Sequence, residues 1–238
     1  MNNYFKENIQ YKKLLDSTAY NFYFKYVNDI IKLINSDGKF LDVGCGTGRV
    51  LKLLSNKISK SNIFGVDISD LFINELKNEF NVCVYDGNIL PFEDDFFNVV
   101  GSFTVLEHID KPYKFLDELI RITKKGGYII ISCPNFLSFF NNVRGYSFSQ
   151  KIYKLLKYIL GGKLEKNPPI IRENFQSDDD AIVVTSIPPI VNYLKKKNLK
   201  IIEISGIMTE RSALENFISK LPLIRLFLPS CYIIAKKK

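Results

Sequence analysis

Three glycines at alternate positions, Gly44, Gly46 and Gly48, stand between a short apolar run, KFLDV, and a run with helical spacing, RVLKLLSNKI. This feature constrains the fold more than any other in the chain. Glycine alone lets a strand turn directly into a helix so tightly, and it leaves main chain open to a ligand. The pattern around it repeats. NIFGVDIS, NVCVYD, FFNVVGSF and YIIISC read as further strands. LFINELKNEF and KPYKFLDELIRIT read as the helices between them, the second with Phe115, Leu116, Leu119 and Ile120 on one side. Pro91 and the acids after it mark a loop, and KKGG is expected to break the last of these helices. Continuously apolar strands alternating with helices predict an α/β fold. The expected form is a doubly wound sheet with right-handed crossovers and helices on both faces.

Around this core, residues 4–34 read as helical, with Tyr23, Tyr26, Val27, Ile30, Ile31 and Ile34 at i, i+3, i+4 spacing and a stop at Asp37-Gly38. The alternation ceases after Asn135 and resumes with IPPIVNYLKKKN and the strands LKIIEISG and CYIIAKK, the last returning antiparallel. The chain is therefore read as a single domain, 1–238. Residues 1–37 form a helical cover, 38–135 the ligand-binding core, 136–182 a helical insertion or lid after strand five, and 183–238 the end of the sheet.

Composition narrows the class. The 238 residues are 46% hydrophobic and 24% charged, which excludes disordered and fibrous chains. Cys45, Cys83, Cys133 and Cys231 are isolated, so neither a zinc cluster nor a disulfide framework is expected. The polar, mixed-charge start lacks an apolar signal region, and no uncharged run reaches the ~18 residues of a membrane span. A cytoplasmic setting is expected. The net charge of +8 permits an acidic partner.

The site chemistry concentrates at the strand ends. A dinucleotide loop needs G-x-G-x-x-G, but position 49 is Arg, and Asp42 before the loop would repel a pyrophosphate. An acidic strand end suits S-adenosylmethionine, which has no phosphate and carries an ammonium and a sulfonium. Asp67 ends the second strand 23 positions after Gly44, close to the spacing of about 20 at which an acid meets ribose hydroxyls. Asp86-Gly87 ends the third strand, where an acid can accept from an adenine amino group. Gly101-Ser102-Phe103 ends the fourth, at the sheet edge where open α/β sheets bind ligands.

With LDVGCGTGRV, GVDIS, YDGNILPFEDDFFNVVGSFTVLEHI and LDELIRITKKGGYIIISCPN in place over about residues 40–135, the chain resembles the class I S-adenosylmethionine-dependent methyltransferases. Within them it is similar to the ubiquinone-biosynthesis-type group. The resemblance implies a seven-stranded sheet of order 3-2-1-4-5-7-6. It places Gly44, Gly46 and Gly48 along the methionine part of the cofactor and Asp42 at its amino group. It places Asp67 at the ribose, Ile68 and Asp86 at the adenine, and Ser102 and Phe103 beside the methionine. The helix with Tyr23 would cover the pocket. His108, the sole histidine, is the candidate general base. Some relatives hold a metal through an acid three residues before the glutamate of VLEH. Thr104 stands there, so no metal is expected.

Other signals weigh less. Asn167-Pro168-Pro169-Ile170 resembles an adenine-methylation motif but lies in the insertion, and Cys133-Pro134 reads as a small strand end. In the helix around 151–160, Lys151, Lys154 and Lys157 fall on one side and Ile152, Leu155, Leu156 and Ile159 on the other. The expectation is that the apolar side packs on the domain and the lysines are solvated. A membrane surface or an anionic substrate is the alternative use. The expected function is methyl transfer from S-adenosylmethionine to a small-molecule acceptor at oxygen, with glycan- or lipid-linked acceptors as variants. An RNA methyltransferase and a non-catalytic cofactor-binding protein are the alternatives. No aromatic-basic platform favours nucleic acid, and the oligomeric state is left open.

Overall fold

Seven strands form one sheet in the order β3-β2-β1-β4-β5-β9-β8. These are β1 (Phe40–Val43), β2 (Ile63–Asp67), β3 (Asn81–Val84), β4 (Phe97–Phe103), β5 (Thr123–Pro134), β8 (Lys200–Ser205) and β9 (Ser230–Lys236). This is the expected order, the last two strands in sequence being the sixth and seventh of the sheet. The structure is a computed structural model and describes residues 21–140, 144–170, 179–206, 217 and 221–238. The proposed helix over 4–20 and most of 209–220 lie outside the described residues.

The chain divides into two compact units. The first comprises 1–103, 114–130 and Lys237. Here β1 pairs in parallel with β2 and with β4, and β2 pairs in parallel with β3. Every residue of β1 is buried, as a central strand covered on both faces requires. The helices of this unit are α1 (Asn21–Leu33), α2 (Arg49–Leu54), α3 (Asp70–Leu76) and α4 (Pro112–Ile122), the last of which starts in the second unit. Proline at the first turn of α4 loses no intrahelical hydrogen bond, since that N–H has no acceptor within the helix. Arg121 of α4 donates to Glu118, to Asp94 and to the carbonyls of Leu90 and Phe92, which fixes the Pro91 loop.

As expected, α4 ends just before KKGG, at Ile122, but KKGG itself lies inside β5 and not in a turn. Gly126 adopts φ +78°. Its N–H donates to the Lys237 carbonyl, and the Lys237 N–H donates to that of Gly127. Backbone pairing thus draws into the sheet a segment whose residue types suggest a turn.

The second unit comprises 104–113, 131–236 and Lys238. β8 and β9 pair antiparallel, as expected. Two further two-residue strands, β6 (Glu165–Lys166) and β7 (Val183–Val184), form a separate antiparallel ribbon. Its helices are α5 (Phe148–Ile159) and α6 (Ile187–Lys196). Ser147 and Gln150 cap α5 reciprocally, each side chain accepting from the other's backbone N–H.

The burial of α5 differs from the expected one. Lys151 is buried and its Nζ donates to the Ser138 carbonyl at 2.7 Å, while Leu156 and Ile159 are exposed. Leu155 and Tyr158 are the residues that enter the core, with Phe136, Leu137, Ala181 and Val184. The Tyr158 hydroxyl accepts the Glu165 N–H at 3.2 Å. Satisfying that hydroxyl and the Lys151 ammonium turns the helix away from the orientation its apolar stripe would choose.

Candidate active site

The glycine loop takes its shape from three positive φ angles: 82° at Gly44, 49° at Gly46 and 75° at Gly48. A side chain is strained in each. At Gly48 there is also no room, since a Cβ would come 2.6 Å from Leu76 of α3. Gly48 therefore serves close packing as well as the turn. The loop is tied to β2: the N–H groups of Gly44 and Cys45 donate to the Val66 carbonyl at 2.8 and 3.0 Å.

Asp67 adds a third tie. Its Oδ2 accepts the Gly46 N–H and its Oδ1 the Ser69 N–H, both at 2.9 Å. Burial raises its pKa, against those hydrogen bonds, which lower it. Each oxygen keeps a lone pair for a further donor. Asp67 thus braces the loop, a role its position in sequence does not disclose.

Asp42 is in a different state. It is 3% exposed, and its Oδ1 has no hydrogen-bond partner among the described residues. Burial, and then the charge of Asp67, push its pKa up to about 8. A carboxyl group so placed lacks a cation or a donor. Ser102 at the end of β4 is also buried, and its Oγ has no hydrogen-bond partner among the described residues.

Phe103 stacks on Tyr26 of α1 with ring centroids 4.2 Å apart. Tyr23, one turn earlier, lies under the Arg49 guanidinium at the start of α2, 5.5 Å from it. The helix that was expected to cover the pocket thus reaches the end of β4 and the glycine-loop helix. Ile68 is half-buried. Asp86 is exposed, and its Oδ1 accepts the N–H groups of Asn88 and Ile89, at 2.8 and 3.1 Å. Those bonds hold its pKa below the usual carboxylate value. Its visible work is to cap a turn.

In the second unit, His108 ends a short 3-10 helix, Leu106–His108. Its Nε2 is 3.8 Å from Glu107 Oε1 and its Nδ1 is 3.7 Å from Asp180 Oδ2. At these separations the carboxylates act as charges rather than as hydrogen-bond acceptors. Glu107 is wholly buried, and its carbonyl accepts the Ile182 N–H at 2.8 Å, which brings Asp180 to the ring. Burial raises the Asp180 pKa to about 6, with Asp179 adding to it and Arg144 opposing. Sequence reasoning treats Asp180 only as part of an acidic stretch. It lies 72 positions from His108, and nothing in SDDD marks which acid comes near the ring. Asn167 is held by Tyr146 and by the Ile182 carbonyl, and Cys133 is buried in β5, so both take structural places.

Comparison with known proteins bears on this arrangement. Residues 41–131 match the family described as Methyltransferase domain. Over this stretch the chain is similar to the class I S-adenosylmethionine-dependent methyltransferases. It is 30% identical over 152 residues to the mitochondrial ubiquinone biosynthesis O-methyltransferase of Dictyostelium discoideum, covering 51% of this chain and 47% of that one. It is 28% identical over 222 residues to an uncharacterized protein of Methanocaldococcus jannaschii, covering 87% and 80%. The first curated relatives it matches are aligned over about half of their length. An S-adenosylmethionine-dependent methyltransferase of Mesorhizobium loti superposes with a TM-score of 0.64 at 12% identity, over 94% of this chain and all of that one. That likeness carries the fold.

The methyltransferase cofactor is S-adenosylmethionine, and the residues present fit it. The buried Asp42 oxygen would accept from its ammonium, Asp67 from its ribose hydroxyls, and the positive-φ loop would receive its methionine part. The three glycines, Asp42, Asp67, Ser102 and Phe103 all fall in the first unit.

Proposed function

We propose that the chain transfers the methyl group of S-adenosylmethionine to a small organic acceptor at oxygen. The observation that carries the reading is the buried Oδ1 of Asp42, without a partner among the described residues, beside a loop whose three glycines all have positive φ. The similarity to the Dictyostelium ubiquinone biosynthesis O-methyltransferase supports oxygen as the acceptor atom. A lipid-linked acceptor fits the same reading.

Methyl transfer is an in-line displacement at a carbon the cofactor already activates, so the protein's work is to hold and orient the reactants and to exclude water. Asp42 binds the ammonium as a carboxylate and gives up its proton to do so. Asp67 holds the ribose while keeping the loop in place, and Ile68 and Asp86 frame the adenine. Ser102 and Phe103 line the methionine part, with Phe103 fixed by Tyr26. His108 takes the acceptor's proton at Nε2. Asp180, on the Nδ1 side, stabilises the imidazolium by its charge.

The test is a labelled methyl-transfer screen of small phenols, carboxylic acids and their lipid-linked forms with the purified chain. Labelled ether or ester with S-adenosylhomocysteine as co-product is expected. Product labelled on carbon or nitrogen would overturn the oxygen assignment. His108→Ala should slow turnover roughly 100-fold or more with cofactor affinity unchanged. Full activity across pH would reduce His108 to packing.

A further inference from the structure

We infer that α5 is a membrane-surface helix, which seats the second unit on an anionic lipid bilayer. The inference does not depend on what the methyl acceptor is. At 100° per residue, Phe148, Ile159, Ile152, Leu156, Leu160 and Tyr153 fall within one arc of about 140° on the helix surface. This stripe does not face the core. Phe148, Tyr153, Leu156, Ile159 and Leu160 are all exposed, from 48% at Ile159 to 86% at Leu160. The stripe continues onto the preceding segment, where Phe139 stacks on Phe148 at 5.0 Å and Phe140 is 75% exposed. A contiguous apolar surface of this kind on a folded chain marks a binding face.

Charge identifies the occupant. Residues 139–166 contain six basic side chains and one acidic, so this short stretch holds five of the eight net positive charges of the chain. Lys157 borders the apolar arc directly, and Lys163 and Lys166 follow the helix; all three are exposed. Lys154 and Lys157 share the single carboxylate of Glu165. Lys157 in that cluster and Lys166, which pairs with Asp110, are about half in solvent, and ion pairs so exposed are weak enough to exchange for a lipid phosphate. An apolar stripe with lysines along its border is the arrangement of a helix lying in the bilayer interface.

A second copy of the chain fits less well. A two-fold contact through this face would set two strongly basic segments against each other. At twelve residues the helix is about 18 Å long, too short to cross the bilayer, so it lies on the surface.

The experiment is vesicle flotation of the whole purified chain. It uses phosphatidylcholine alone, and phosphatidylcholine with roughly 30% phosphatidylserine, at about 0.05 and 0.5 M salt. Binding to the anionic vesicles only, weakened by salt, is expected. L156S/L160S should weaken it at least about tenfold by removing apolar burial. K157E/K163E should do the same by charge. Both variants should keep the parent cofactor affinity, and L156S/L160S also the parent Tm, since Leu156 and Leu160 lie in solvent. No flotation of the parent, equal flotation on neutral vesicles, or flotation retained in both variants would each overturn the inference. So would a concentration-dependent dimer abolished by L156S/L160S without lipid binding, which would give the face to a second copy. Cofactor titration on the same samples reads the methyltransferase assignment separately.

Discussion

The glycine loop and the insertion helix both carry side chains in places that water and apolar protein ordinarily reverse. At the loop, two carboxylates are buried, one with an oxygen to which no described residue donates. At α5, a row of large apolar side chains stands in solvent while a lysine is buried. The difference lies in what would relieve each. The loop lacks a compact cation with donors, while the helix lacks a broad apolar surface with negative charge at its edge. A fold leaves such sites unsatisfied where a second body completes them, and the kind of mismatch names the kind of body.

The largest effect expected at the loop comes from Asp67→Ala, which removes both a ribose contact and the brace on Gly46. Cofactor affinity should fall by about 100-fold, and stability by about 1–3 kcal/mol, measured by calorimetry and urea unfolding. Affinity lost with stability intact would separate the two roles of the carboxylate.

Asp42→Asn sharpens the comparison further, because its two effects have opposite signs. Cofactor affinity should drop by roughly 10- to 100-fold, the range of a lost hydrogen bond to a charged group. The free protein should become more stable, since a buried carboxyl group repelled by Asp67 is replaced by a neutral amide. A fall in both would make Asp42 a structural residue.

The same group sets a pH dependence. Its folded pKa, about 8, lies above its unfolded value of 3.8, so the folded chain holds a proton that the unfolded chain has released. Its contribution to stability is present in full below pH 4 and is lost as pH rises toward 8. Asp42→Asn should flatten that part of the stability profile.

The legibility of the two regions follows from the length scale of their determinants. Gly44, Gly46 and Gly48 act through their own φ angles, and Asp67 follows at a spacing set by one strand-helix-strand unit, so a short stretch of sequence contains the whole argument. The sheet order was available only through the family resemblance, which the pairing of β8 with β9 now matches. The facing of α5 was not readable. It depends on Ser138 and Glu165, which lie outside the helix and give Lys151 and Tyr158 their partners. Asp180 beside His108 was hidden for the same reason, being brought there by a backbone bond from Ile182 to Glu107.

Two smaller effects complete the series. Asp180→Asn should lower the apparent pKa of the acid limb of the turnover profile by about one unit, since it removes a negative charge near Nδ1. An unmoved limb with unchanged turnover would dissociate Asp180 from His108. Asp86→Asn should change cofactor affinity by no more than about threefold and stability by less than about 1 kcal/mol. Asparagine also accepts from the N–H groups of Asn88 and Ile89 in such a turn.

Calorimetric titration of the purified chain with S-adenosylmethionine and, separately, with NAD, from pH 6 to 8 in buffers of differing ionisation enthalpy, tests the central claim most directly. The account predicts uptake of the sulfonium compound alone, with affinity that tightens as pH rises across this range and with up to about one proton released on binding from the Asp42 carboxyl. Uptake of NAD with no response to S-adenosylmethionine would contradict it.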